Sequence, residues 1–462
     1  MPGSSKGGNG DILFGIHEGE YLRHGGPEHM MLIAPTRAGK DVGVVVPTLL
    51  GFGGSVVVND IKGKSWEITS GYRAHFSDCL HFNPISRRTH RYNPLLVIRK
   101  GDNEVRDTQN VADMLVDPEG SLEKLDHWQL SSHALFVGVI LHILYAEKDK
   151  SLAGLAQFLS NPAHTFTETL NVMSRTMHLG TTVHPVVAGV VRELLNKDYR
   201  ELSGVLSTAM SFLSLYRDPL VANATSVCDW LPGDLQRAGA PLSLYLVIPP
   251  NNLRRTRPLL RLMLNQLVSF LTEELVAEHD LLLLLNEFPA LGHLDFFETS
   301  LGYLAEYRIR ALLISQSTKQ LARHYGHDHS LIDNCHVQVF MAANDNETAE
   351  RISKLMGTQT FVRTQEHLSG SRFALWYDKS STTEIEHARP LLTDSEVMQL
   401  PQDDLLVKMA SWPPMRAKKI RYYADPNFTD RLLAPVEVRP LPQRATCWDV
   451  EGPKVLRPHG VN

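Results

Sequence analysis

Met30-Met-Leu-Ile-Ala34-Pro-Thr-Arg-Ala-Gly-Lys-Asp41-Val-Gly-Val-Val-Val-Pro-Thr-Leu-Leu50 is the stretch that decides the fold. Met30 to Ala34 is an unbroken apolar run, the pattern of a strand buried on both faces of a parallel sheet. Val42 to Leu50 reads as a helix. Between them, Ala34, Pro35, Thr36, Arg37, Ala38, Gly39, Lys40 and Asp41 occupy the strand–loop–helix context that a phosphate-binding loop requires. Successive backbone N–H groups and the helix N-terminus make an anion cradle there. Gly39 lets the backbone come close, and Lys40 is placed to put its ammonium on the β- and γ-phosphates of ATP.

Two positions depart from the G-x-x-x-x-G-K-[ST] template. Ala34 replaces the first glycine, which is tolerable where the turn keeps φ negative. Asp41 replaces the hydroxyl that binds Mg2+, and a carboxylate beside phosphates is repelled unless the metal lies between them. On these residues alone, a Gly-Lys pair at an ordinary strand–helix turn stays open as the other reading.

A second segment supports the nucleotide reading. Leu281-Leu-Leu-Leu-Leu-Asn286-Glu287 is an apolar strand ending in an amide and a carboxylate, expected to lie beside the P-loop strand. Such a strand end supplies an Asp for the metal and a Glu that activates the attacking water. Glu287 fits the base role, whereas Asn286 lacks the charge. Gln316, ending the next strand, is placed to sense the γ-phosphate. The pair of departures has two readings: Asp41 takes over metal contact beside Asn286, or the ATPase is weakened.

Outward from these motifs, buried-strand runs recur at Ser55–Asn59, Cys79–Phe82, Leu242–Ile248, Ala311–Ser315 and Val337–Met341. From Asn103 to Asp229 the strand signal gives way to helical periodicity, and a further helix is expected from Pro258 to Ala277. The fold class is α/β, a mostly parallel sheet with an inserted all-α domain. Residues 1–25 are expected to be a flexible segment, 26–95 with 235–425 the nucleotide-binding domain, 96–234 the helical domain, and 426–462 a proline-rich tail.

The 462 residues are 43% hydrophobic, which suits a globular chain with two or three cores. No run of about 18 uninterrupted apolar residues occurs, and Phe136–Tyr145, the best candidate span, is short and broken by His142. Four scattered cysteines (Cys79, Cys228, Cys335 and Cys447) without a Cys-x-x-Cys pair argue against structural zinc or a disulfide framework, and suit a reducing cytosol. A net charge of -5 argues against wrapping duplex DNA over the outer face, but not against a ring with a positive pore. Arg87 and Arg88, and Arg254, Arg255 and Arg257, are the basic clusters on expected loops; each is a DNA-contact candidate or a set of solvated charges.

Several strings together resemble the TraG-like (VirD-type) coupling proteins of conjugation and type IV secretion. They include Tyr21-Leu-Arg-His24, Ala34-Pro-Thr-Arg37, Asn59-Asp-Ile-Lys-Gly63, Asn286-Glu-Phe-Pro-Ala-Leu-Gly292, Ile309 to Ser317 and Pro414-Met-Arg-Ala-Lys-Lys-Ile-Arg-Tyr-Tyr423, in the family's order. The resemblance implies a RecA-like P-loop domain carrying an all-α insert, working as a hexameric ring with ATP and Mg2+ between subunits and single- or double-stranded DNA through the pore. It implies partners: a relaxase or protein effector, and components of the type IV secretion channel. It also implies inner-membrane anchoring with the motor on the cytosolic face. The anchor is not seen ahead of the P-loop strand, which leaves either a truncated chain or a separate membrane partner. By the same resemblance an arginine finger lies just before the Gln316 strand, with Arg308 and Arg310 as candidates; a pair of solvated strand-edge charges is the other reading. A docking receptor with little hydrolysis is the alternative function, and a chromosome-segregation pump of the FtsK type is a third.

Overall fold

In the computed structural model, which describes residues 10–118, 125–369 and 379–449, the strand that opens at Met30 lies inside a large sheet. The strands of that sheet are β1 (Ile12–His17), β2 (Glu20–His24), β3 (Met30–Ile33), β4 (Ser55–Asp60), β5 (Asp78–Phe82), β6 (Leu242–Val247), β7 (Leu281–Leu285), β8 (Ile309–Ser315), β9 (Val337–Phe340), β12 (Asp404–Met409) and β13 (Met415–Lys418); β10 (Thr358–Ser369) and β11 (Lys379–Pro390) form a separate hairpin. The spatial order is β2-β1-β13-β12-β9-β3-β8-β7-β4-β6-β5. Neighbours from β9 to β5 are parallel, and the remaining pairs are antiparallel.

Strands β4, β6, β7 and β8 are buried at every position, as apolar runs without alternation require. Alternate residues nonetheless serve different cores. Met31, Ile33, Val57, Leu283 and Leu313 join one cluster with the helices, while Leu32, Val56, Val58, Leu284 and Ile314 join the other. Among the described residues, the chain between β5 and β6 is helical or irregular, the longest helix there being His127–Ala146. That helix starts four residues before the Ser131 expected from periodicity, because Asp126 and Gln129 form a capping box. At 20 residues it is long and apolar enough to cross a membrane, but it is mostly buried among the other helices. Arg73, fully buried, donates to the carbonyls of Leu49, Phe52 and Gly54 and to Ser243 Oγ, tying the end of the P-loop helix to β6.

Four expectations are corrected. Strand β7 is not the neighbour of β3, because β8 lies between them. Residues 12–24 are not a flexible segment: β1 and β2 pair across a two-residue turn at Glu18 and Gly19. Both turn residues have positive φ (52° and 86°), the conformation that matches a tight hairpin to strand twist. The helix expected from Pro258 spans Pro250–Leu271 and holds Pro258 inside it. Pro250 at its first position is pre-set for helix entry. Arg254, Arg255 and Arg257 therefore sit on a helix and not on a loop.

The described part of the tail runs along the surface, anchored by Val436 N on Ser70 Oγ and by the buried Trp448, whose indole donates to Ile98 O. The first nine residues of segment 1–25, residues 119–124 of the helical domain and residues 450–462 of the tail lie outside the described residues.

Candidate nucleotide site

Strands β3, β4, β7 and β8 are parallel, so their C-terminal ends open on one edge of the sheet, where ligands of such sheets bind. Each end delivers one part of the site. Ile33 pairs with Ser315, which sets the loop after β3 directly across from Gln316. The ends of β4 and β7 bring Asp60 and the Asn286–Glu287 pair to the same cleft, a cavity of about 870 Å³.

The loop has the backbone that phosphate binding needs. Ala34 is buried, lies outside the positive-φ residues, and donates its N–H to Ser315 O at 2.9 Å. Its methyl group therefore costs the turn nothing. Arg37 and Gly39 adopt positive φ (66° and 84°), alternating the direction of successive amides as anion-binding nests do. The helix then opens at Lys40 and Asp41 with a π-helical turn, Asp41–Val45, running into Val46–Gly51.

Four side chains form one chain of contacts across the cleft. Lys40, buried, is ion-paired to Glu287 through Oε1. Gln316 Nε2 donates to Glu287 Oε2 at 2.8 Å, and Thr36 Oγ1 donates to Gln316 Oε1 at 3.0 Å. Glu287 holds its place with φ at 55°, a left-handed conformation that a non-glycine residue adopts only under constraint from its surroundings. Alongside, Asn286 Nδ2 donates to Asp41 Oδ1 at 3.1 Å, and Asn59 Nδ2 donates to the Asn286 carbonyl at 2.6 Å.

The oxygen set suits a magnesium ion. Asn286 Oδ1 is buried with no hydrogen-bond partner, and the Asp41 carboxylate lines the same cleft. Among the described residues no group of three or more His, Cys, Asp or Glu could hold a metal alone. Mg2+ bound through one or two protein oxygens plus phosphates needs no such cage.

Asp60 is a site residue that the motifs leave unassigned. Burial pushes its carboxyl up to about 6, the Asp41 charge adds to the rise, and the amides of Trp66, Ser65 and Lys62 oppose it. Lys62 and Lys64 line the cleft beside it. The available signal was a charged residue ending the apolar run Val56–Val58 just before Gly63, in a string that carries the family resemblance and no motif of its own.

The other candidates scatter. Arg308 and Arg310 sit just before and at the start of β8, the opposite end from Gln316, roughly 26 Å and 20 Å away at strand rise. Arg310 is buried, with its guanidinium on Gly10 O and Gly26 O and over the Phe52 ring. Burial therefore withdraws Arg310 as a finger reaching another subunit. Arg308 is half-exposed and paired with Asp280 at 2.7 Å. Arg87 and Arg88 are exposed on the loop after β5, Arg254 is exposed, and Arg255 is held by Asp218 at 2.7 Å.

Comparison with known proteins gives consistent matches. A sequence profile described as Type IV secretory system Conjugative DNA transfer matches residues 4–442. The conjugal transfer protein TraG of Escherichia coli is 40% identical over 467 residues, covering 94% of this chain and 73% of TraG. Protein VirD4 of Agrobacterium fabrum is 33% identical over 451 residues, covering 94% of this chain and 64% of VirD4. Among solved structures, the unbound conjugative coupling protein TrwBdeltaN70 matches with a TM-score of 0.67 at 17% identity, covering 90% of this chain and 91% of that one. TrwB in complex with ADP and Mg2+ matches with a TM-score of 0.63 at 18% identity, covering 87% and 88%. These two likenesses concern the fold, a RecA-like P-loop architecture.

Proposed function

The chain belongs to the type IV secretory system conjugative DNA transfer family, and from that premise we propose that it is an ATP-driven motor coupling a relaxase–DNA complex, or a protein effector, to the secretion channel. The observation that carries this reading is the contact chain Thr36–Gln316–Glu287–Lys40 at the strand ends.

The Lys40 ammonium is ion-paired with Glu287. A triphosphate in the nest offers Lys40 stronger, multiply charged acceptors, so the ammonium turns to the β- and γ-phosphates. Glu287 Oε1 is then free to accept a proton from a water molecule, while Gln316 still holds Oε2 and fixes the carboxylate plane. Gln316, touching both Glu287 and Thr36, senses whether the γ-phosphate is present. Mg2+, held by Asp41 and Asn286 Oδ1, would neutralise charge on the phosphates.

In this reading subunits assemble as a ring, a hexamer by family likeness, on the cytosolic side of the inner membrane, with DNA in the pore. Arg308 is the residue left to reach a neighbour's nucleotide. A second reading, a docking receptor that binds nucleotide and barely hydrolyses it, is favoured by one observation: the amide at 286 beside the carboxylate at 41. Phosphate release and oligomer size measured with and without DNA separate the two. The motor predicts DNA-stimulated turnover well above a Lys40→Ala control; turnover equal to that control at every DNA and Mg2+ concentration would leave the receptor.

A further inference from the structure

After β13 the chain does not leave the sheet edge but returns over the phosphate-binding loop. Lys419 donates from Nζ to the carbonyl of Ala38 at 2.8 Å and also reaches Gln402 O. Its backbone N–H is fixed on Asp403 O at 2.8 Å. The approach is close enough that a Cβ on Gly43 would lie 3.3 Å from Lys419 Cβ, so residue 43 leaves room for this strap by having no side chain. Ile420 is fully buried against Leu13, Val46, Leu50 and Phe428. Two residues later Tyr422 enters the nucleotide cleft, packed in the same apolar cluster as Val46 and Ile68.

The cleft is therefore polarised. Glu287 and Gln316, just past the ends of β7 and β8, mark where the γ-phosphate is read. Gly39 and Lys40 lie between, and Val42, Val46, Ile68 and Tyr422 make the apolar wall on the helix side. A nucleotide with its terminal phosphate at Gln316 directs its base towards that wall. We propose that Tyr422 is the residue on which the nucleobase stacks, delivered by a strap that Lys419 pins to the phosphate-binding loop; the proposal rests on the nucleotide reading above. An aromatic ring offers a π-face and no edge-reading donors, so it takes adenine and guanine alike.

Calorimetric titration of the Mg2+-loaded protein with ATP, GTP and inorganic tripolyphosphate tests this. Tyr422→Ala is expected to weaken ATP and GTP roughly tenfold and leave tripolyphosphate unchanged, with Tyr422→Phe close to the unaltered protein. Equal losses for ATP and tripolyphosphate, no loss for ATP, or a Tyr422→Phe variant as weak as Tyr422→Ala would each overturn the assignment. If the unaltered protein bound tripolyphosphate as tightly as ATP, no base would be held and the proposal would fall alone. If it bound neither, the nucleotide reading itself would fall and take the proposal with it.

Discussion

Asn286 presents its amide nitrogen to Asp41 Oδ1 at 3.1 Å, so the departure at the strand end touches the one at the helix start. The carbonyl end of the amide could not take that place, because two acceptors would meet. An aspartate at 286 would put two carboxylates in contact, which costs several pKa units for one of them. On the proposed reading the two positions act as one exchange, with the carboxylate at the helix start and the amide at the strand end.

The exchange predicts non-additivity. Asn286→Asp alone should lower Mg2+-dependent turnover, and Asp41→Ser alone should do the same by removing the remaining charge. The double variant should recover at least the unaltered rate, with a coupling of about 1 kcal/mol or more in a double-mutant cycle. Steady-state turnover against Mg2+ concentration measures it. A single variant faster than the unaltered chain would show impairment and not exchange.

Lys40 and Glu287 should separate binding from chemistry. Glu287→Gln keeps a partner for Gln316 and removes the base, so ATP affinity should hold while turnover falls about 100-fold or more. Lys40→Ala should lose both, since the ammonium that reaches the phosphates is gone. Equilibrium binding and single-turnover hydrolysis on the two variants decide between the roles. Unchanged single-turnover hydrolysis in Glu287→Gln would remove Glu287 from the proton transfer.

What was legible in the sequence follows from burial. The parallel strands β3, β4, β6, β7 and β8 each contain a continuous apolar run, because a strand covered on both faces has no polar side to show. The antiparallel strands went unread. Strand β2 reads Glu20-Tyr-Leu-Arg-His24, with Glu20 and Arg23 exposed. Where a motif fixes chemistry, at Lys40, Glu287 and Gln316, the sequence named candidates that the structure brings into contact. Asp60 and Tyr422 were not named, since they reach the cleft from β4 and from a strap hundreds of residues downstream, which Lys419 ties to the Ala38 carbonyl, and only tertiary structure joins them.

Arg87 and Arg88 are exposed on the loop after β5. Replacing both with Ala should reduce the slope of log K against log salt for DNA by about 2, one unit for each phosphate that the loop no longer neutralises. Arg255→Ala should change the slope less, because its guanidinium is already held by Asp218. Binding of a fluorescent oligonucleotide across a salt series reads both slopes. An unchanged slope in the double variant would mean the loop does not face DNA.

Acid should destabilise the chain through His178. Its ring sits between two histidines: Nδ1 accepts from His184 N–H at 3.2 Å, so the neutral ring carries its hydrogen on Nε2 and donates to His142 Nδ1 at 2.9 Å. Burial first, then the neighbouring His142 and His184, lower its pKa from 6.5 to about 4. Between pH 6.5 and 4 the unfolded chain thus binds the proton that the folded chain refuses, and stability present above 6.5 drains away as pH falls. The slope from one such group is at most about 1.4 kcal/mol per pH unit. Urea unfolding across that window should show a shallower acid limb in His178→Gln, and not a flat one, because His81 is lowered to about 4 as well. An identical limb in the variant would mean that the folded protein already accommodates a charge at this position.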